Sequence, residues 1–336
     1  MIRWRSATSL MRLHNYLVVS PWLMVFDKHR GVLTFTDPMF GEQYFIKTPQ
    51  EFISYDEICY TAYGWLLIKV CGRYNFFNPF TNDIRNLPNV PNVKDICFSA
   101  PPTSPDCMVV GFSKYMMVLV VTVHFVNREP PRWHRYRMGP GQISRSFFPF
   151  PTFYGSDIYI LDERRLNVLR GMQERYCIWE VVNEALQSKS SGQSFLVTCD
   201  QHLLVVLVDT FGESVEVFKL NGSTREWEKI DSLGKHMMYV CHTRCFCIEA
   251  RTPEMENKIY FPLVHSENGK IVFYSLETRK YHTFSGRNVQ ESFGDFFGTK
   301  YHLNRHSWIK PSWSQGLFVY LLMRLLMVQT SYWFST

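Results

Sequence analysis

One hairpin plan recurs six times along this chain. Each copy is an apolar or aromatic strand, a polar turn opened by Asn, Asp or Glu, and a second strand that begins on an aromatic or apolar residue. The copies read LTFTDPMFGEQYFI (33–46), YNFFNPFTNDIRNLP (74–88), VHFVNREPPRWHRYR (123–137), IYILDERRLNVL (158–169), VEVFKLNGSTREWEKI (215–230) and VFYSLETRKYHTF (272–284). Their first turn residues, Asp37, Asn78, Asn127, Asp162, Asn221 and Glu277, stand 41, 49, 35, 59 and 56 residues apart, a mean of 48. Several strands at that period form the unit of a β-propeller blade, whereas helical solenoid units are shorter or filled with helix. A lone sheet of this kind cannot bury both faces, so the units must stack and share a continuous core. Six blades are expected, with seven as the other count and an irregular β-sandwich as the other architecture.

The rest of the chain reads as all-β. Runs such as GWLLIKV (64–70), MMVLVVTVHFV (116–126), HLLVVLV (202–208) and NKIYFPLV (257–264) alternate with Gly, Pro, Asn and Asp clusters, the pattern of strands and turns. Helical periodicity is confined to the ends and to one stretch at 172–187. Asn and Asp suit the turns because they bond their own backbone or tolerate the left-handed region, and Gly222 is expected to supply a positive φ there. A strand near 16–26 is expected to close the ring against the last blade.

Composition excludes several classes. With 46% hydrophobic and 20% charged residues the chain can bury a core and is not disordered. The net charge of +6 is spread over 336 residues without a block of like charges, so DNA is not an expected partner. Nine irregularly spaced cysteines and no secretory signal point to free thiols in a cytoplasmic or nuclear protein. Residues 317–328, LFVYLLMRLLMV, are interrupted by Arg324 and fall short of the roughly 20 residues of a spanning helix, so no membrane is expected.

Few residues suggest chemistry. Cys241, His242, Cys245 and Cys247 resemble zinc ligands, but no second pair lies at a structural spacing, so buried thiols and no metal are expected. Cys245 and Cys247, two apart, would face one side of a strand. On a strand, 132–137 places Trp133, Arg135 and Arg137 on one side and Arg132, His134 and Tyr136 on the other. The first three are a candidate partner patch; RNA contact and a charge-guarded edge strand are the alternatives. No nucleophile elbow, P-loop, dinucleotide fingerprint or H-E-x-x-H motif occurs. No catalytic residue or cofactor is therefore expected, with a propeller enzyme as the rival reading.

Read end to end, the chain resembles the plant F-box-associated proteins with a C-terminal kelch-like, KIB-type β-propeller. The matching pieces include SPWLM (20–24), YGWLL (63–67), NPFTNDIRNLP (78–88), FSAPPTSPDCMVVGF (98–112), SFLVTCDQHLLVV (194–206), VFKLNGSTREWEKIDSLG (217–234), NKIYFP (257–262) and WIKPSW (308–313). The resemblance implies a protein-interaction module: the substrate-recognition part of an SCF (Skp1-cullin-F-box) ubiquitin ligase, acting on an unknown protein client. It divides the chain into an F-box remnant at 1–15, a propeller at 16–313 and an apolar tail at 314–336. Trp4 and Arg5 resemble the closing end of an F-box and are the adaptor-binding remnant. The Leu-Pro-rich helices that precede that end in the family have no counterpart here, so binding to a Skp1-type adaptor is expected to be impaired.

Overall fold

The recurrent turn is closed by one backbone hydrogen bond. The amide four places on donates to the carbonyl of the opening residue at Gly41→Asp37 (3.0 Å), Asn82→Asn78 (2.8 Å), Arg225→Asn221 (2.9 Å) and Arg279→Ser275 (2.8 Å), so the last turn opens at Ser275, two residues before the expected Glu277. Each closing residue is left-handed, with φ of +69° at Gly41, +62° at Asn82, +59° at Arg225 and +55° at Arg279. Gly adopts this freely and Asn tolerates it, whereas the two arginines bear a cost of roughly 1 kcal/mol each. The side chains of Asn78 and Asn221 tighten their turns, their Oδ1 atoms accepting from the amides of Phe80 and Thr81 and of Ser223 and Thr224. Gly222 does not hold a positive φ; Arg225 takes that role.

The computed structural model describes residues 20–310 apart from 28–29, 39–40, 42, 53–54, 91–92, 116–117, 139–150, 163, 174–175, 183–185, 187–191, 211, 266–269, 286–287 and 294–305. Its strands form six sheets, the blades of a propeller. The first holds β1 (Trp22–Asp27), β2 (Val32–Thr36) and β3 (Gln43–Lys47). The second is β4 (Tyr55–Ala62), β5 (Trp65–Val70), β6 (Arg73–Asn78) and β7 (Asp83–Asn86), and the third β8 (Asp95–Phe98), β9 (Met108–Tyr115), β10 (Val118–Phe125) and β11 (Trp133–Arg137). The fourth is β12 (Thr152–Tyr154), β13 (Asp157–Asp162), β14 (Arg165–Arg170) and β15 (Ile178–Val181), and the fifth β16 (Gln193–Cys199), β17 (His202–Val208), β18 (Val215–Leu220) and β19 (Trp227–Ile230). The last sheet holds β20 (His236–Tyr239), β21 (Phe246–Glu249), β22 (Lys258–Val264), β23 (Ile271–Ser275), β24 (Lys280–Ser285) and β25 (Asn288–Phe293). A final strand, β26 (His306–Ile309), returns to the first sheet.

Blades two to five are meanders of four antiparallel strands in chain order. The first and last differ. The order β26-β1-β2-β3 places Leu23 opposite Trp308, so the ring closes inside the first blade. The expected closing strand therefore exists as β1, but its partner is β26 and not a strand of the last blade. In the last sheet the order is β21-β20-β22-β23-β24-β25, with β20 parallel to β22. Neighbouring blades touch along first strands, β4 with β26 and β8, and β16 with β12 and β21.

The fourth sequence repeat lies one strand early. IYILDERRLNVL is β13–β14, the second and third strands of its blade, whereas the copies in blades one, two, three and five are third and fourth strands. The matching turn opens at Gly171, and that marker changes the uneven spacings of 35 and 59 residues to 44 and 50. The stretch 172–187 contains β15 and is not helical there; Ile178, Trp179, Val181 and Val182 satisfy both periods over so short a window. No helix among the described residues is long and apolar enough to cross a membrane.

No blade owns its core. One cluster joins residues of blades two, three and four, a second joins the first, second and last, a third the fifth and last, and a fourth the fourth and fifth. At the closure Trp308 is fully buried, edge-on to Tyr239 at 4.8 Å, while Tyr239 stacks on Tyr260 at 4.7 Å. The Trp308 indole N–H donates to the Val240 carbonyl at 3.1 Å. Trp308→Ala is expected to cost about 3–5 kcal/mol, since it leaves a large cavity and an orphaned carbonyl. Urea unfolding monitored by circular dichroism measures it; a loss below about 1 kcal/mol contradicts this closure.

Candidate interaction surface

The β20–β21 hairpin ends in a tip, residues 240–245, that reaches the first strands of several blades. Thr243 bonds the Thr61 hydroxyl of β4 (3.0 Å), and Thr61 in turn donates to the Trp308 carbonyl of β26 (2.9 Å). His242 lies against Phe195 of β16, ring centroids 6.4 Å apart. The tip thus touches strands of blades one, two and five. Small residues let it fit: Cys241 and Cys245 are buried, and the Cys241 thiol donates to the Arg244 carbonyl (2.9 Å). Arg244 sits over the Tyr63 ring at 4.8 Å and near Phe246 at 5.5 Å, while the Tyr63 hydroxyl donates to the Ser99 carbonyl (2.6 Å). Tyr63 is thus half of a cation–π pair at the mouth where β4 and β8 end.

Burial shifts several titratable groups in and beside the blades. Burial pushes the thiols of Cys107 and Cys177 up to about 12, and those of Cys59, Cys97 and Cys245 upward as well. None of these five offers a thiolate nucleophile near neutrality. The Asp95 carboxyl at the start of β8 is raised to about 6, by burial above all, with Glu57 adding to the rise and Lys94 opposing it.

The predicted patch lies on β11, the outer strand of blade three. Arg135 and Arg137 are exposed, but Trp133 is half-buried: its ring packs against His124 at 4.9 Å and its N–H donates to the Pro88 carbonyl at 3.3 Å. The structure therefore leaves two arginines outward and turns the tryptophan into packing. Tyr136, also half-buried, lies close enough to Cys177 of blade four for that thiol to add to the rise of its phenol pKa, which burial dominates. Both residues pack on the same core cluster. Beyond Cys177 runs β15, the outer strand of blade four, where Ile178 and Val181 are 57% and 48% exposed; Tyr176, just before it, is 76% exposed. Sequence reasoning missed this apolar edge because its strand falls in the stretch that looked helical. Two exposed arginines thus lie on the outer strand of blade three, and three exposed apolar side chains lie on or just before that of blade four, where Ile178 and Val181, three apart, face opposite sides of the strand. Trp4 and Arg5 lie outside the described residues.

The cysteine expectation needs a correction. Cys199 of β16 and Cys247 of β21 form a disulfide, while the other seven cysteines are free. The two are 48 residues apart, one blade repeat, and linear spacing does not reveal that β16 and β21 are neighbours. Cys245, just before β21, is buried in the cluster shared by the fifth and last blades, and Cys247 packs against the same cluster, so the two face one side as expected, but Cys247 is bonded and not free.

Residues 32–285 match the family described as KIB1-4 beta-propeller. The chain belongs to the KIB1-4 beta-propeller family. It is similar to an F-box protein of Arabidopsis thaliana, 32% identical over 136 residues that span 40% of this chain and 32% of that protein. An F-box/kelch-repeat protein of the same plant is 26% identical over 78% of this chain and 76% of its own length. A further Arabidopsis F-box protein is 22% identical over 90% of this chain and 66% of its own length. The chain thus spans about a third of the first of these relatives. All three are plant F-box proteins, in line with the resemblance read from the sequence.

Asp95 gives this KIB1-4 propeller a pH signature. Its folded pKa lies above the ordinary carboxylate value near 4, so the folded chain binds the proton more tightly and loses stability as pH rises from about 4 to 6. Asp95→Asn is expected to be more stable than the wild type at pH 7.5, by on the order of 1–3 kcal/mol, with the gap closing toward pH 4. Urea midpoints at both pH values check it, and a gap independent of pH contradicts it.

Proposed function

We propose that this chain recognises a protein client for an SCF-type ubiquitin ligase and docks it on the adjoining rims of blades three and four. The observation that carries the reading is the exposed set Arg135, Arg137, Tyr176, Ile178 and Val181 on a propeller whose relatives are F-box proteins. Tyr and Arg are among the types that dominate binding hot spots, and apolar neighbours exclude water around them. The arginines favour a client that presents acidic side chains beside apolar ones, since complementary charge speeds encounter and fixes register. A role without catalysis is supported by relatives that are F-box proteins and by buried thiols that stay protonated. In proteins of this plan the F-box grips the adaptor and the propeller holds the client, so the two activities are separable. The setting that fits is the cytoplasm or nucleus.

Crosslinked affinity purification from an Arabidopsis extract tests the reading. The wild-type chain is expected to retain client proteins that the double variant Arg135→Glu/Ile178→Asp loses at least tenfold, with unchanged circular dichroism. Equal client recovery by the variant removes the rim from the proposal, and nuclease-sensitive recovery favours RNA as the ligand of the basic strand.

A further inference from the structure

Four side chains of metal-binding type converge where blade five meets the last sheet. Cys199 ends β16, Asp200 follows it in the turn, His236 opens β20 and Cys247 lies in β21. Ligand atoms of Cys199, Asp200 and His236 all lie within 4.8 Å of one another. The bond from Cys199 to Cys247 brings a fourth donor to the same point. The backbone fixes this meeting: β16 packs on β21, and β21 pairs with β20, Met238 opposite Cys247 and His236 opposite Glu249. The set shares only Cys247 with the group singled out in the sequence.

The surroundings of His236 are unusual for a neutral imidazole. Its Nδ1 stands 3.3 Å from the Leu233 carbonyl oxygen and its Nε2 3.1 Å from a carboxylate oxygen of Asp200. Both neighbours are acceptors, yet the neutral ring carries a single N–H, so either tautomer sets a lone pair against an oxygen. A cation on Nε2 with Nδ1–H donating to Leu233 removes the conflict, the arrangement that orients histidines bound to metal.

We propose that when the Cys199–Cys247 disulfide is reduced, these two cysteines, His236 and Asp200 bind one zinc ion. The opening reaction is a thiol exchange: two molecules of a small-molecule thiol become its disulfide and deliver two hydrogens to the protein sulfurs. Zinc then binds as both thiols release their protons to solvent, leaving two thiolates, a neutral imidazole and a carboxylate around a doubly charged ion. This donor set suits tetrahedral zinc, in which sulfurs at about 2.3 Å from the metal lie about 3.8 Å apart. Disulfide and metal exclude each other because the ligands are the thiolates. The Asp200 side chain is 69% exposed and that of His236 27%, which opens a path from solvent. The joint between β16 and β21 is thereby closed in both redox states, by a covalent bond in one and by the metal in the other.

Cobalt titration of the full chain, reduced and then freed of reductant under argon, tests the site. The reduced chain is expected to bind one cobalt with thiolate-to-metal charge transfer and tetrahedral d–d bands, and zinc is expected to displace it. The disulfide form and Cys199→Ser/Cys247→Ser are expected to show no such spectrum. His236→Gln, which keeps the disulfide and is checked for fold in the oxidised form, is expected to bind at least tenfold more weakly. No spectrum from the reduced wild type, undiminished binding by His236→Gln, or equal binding by the double serine variant or the disulfide form overturns the proposal.

Discussion

The pairing of β26 with β1 is the constraint on which the other blades depend. A propeller whose last strand stays loose leaves the inner edge of β1 unpaired, and an open edge invites pairing with other chains. Joining residues near 22 and 309 costs chain entropy that grows only slowly with loop length. Burial offsets it: Trp22, Leu23, Met24, Trp308 and Ile309 are all at most 2% exposed. Because every apolar cluster is shared between blades, closing the ring completes cores that no sheet completes alone.

The second organising feature is the hairpin tip at 240–245. It belongs to the last sheet, yet it bonds residues of β4 and β26 and lies against β16. The Thr243 hydroxyl and the Val240 carbonyl are paired there, as buried hydroxyls and carbonyls require. On the rims the outer strands are short and carry charge, as on β11, while β15 departs by presenting aliphatic side chains at an edge. That departure is what singles out blade four in the proposed function.

The repeat was legible because one hydrogen-bonded turn is used again and again, and Asn78 and Asn221 announce it with side chains that bond their own backbone. It misled at blade four, where Asp162 imitates the turn between a different pair of strands and the true turn opens at Gly171. Gly171 needs its φ of +72°, and a Cβ there runs into the Tyr176 carbonyl, but a glycine without a neighbouring Asn looks like any other loop residue. The basic strand 132–137 was legible as a strand; which residues point to solvent was not, because the neighbouring Pro88 and His124 decide that Trp133 turns inward. The β16–β21 joint was invisible, since its side chains come from strands placed together only by an insertion peculiar to the last sheet.

Amide hydrogen exchange on the native chain tests the central claim, that the ring is one cooperative unit closed by β26. Amides bonded between β1 and β26 are expected to exchange only through global unfolding, with the same opening free energy as those of the central pair β9–β10. Exchange of the β26 amides through low-energy local opening, while β9–β10 stay protected, would show a ring that stands without its last strand and would contradict the account.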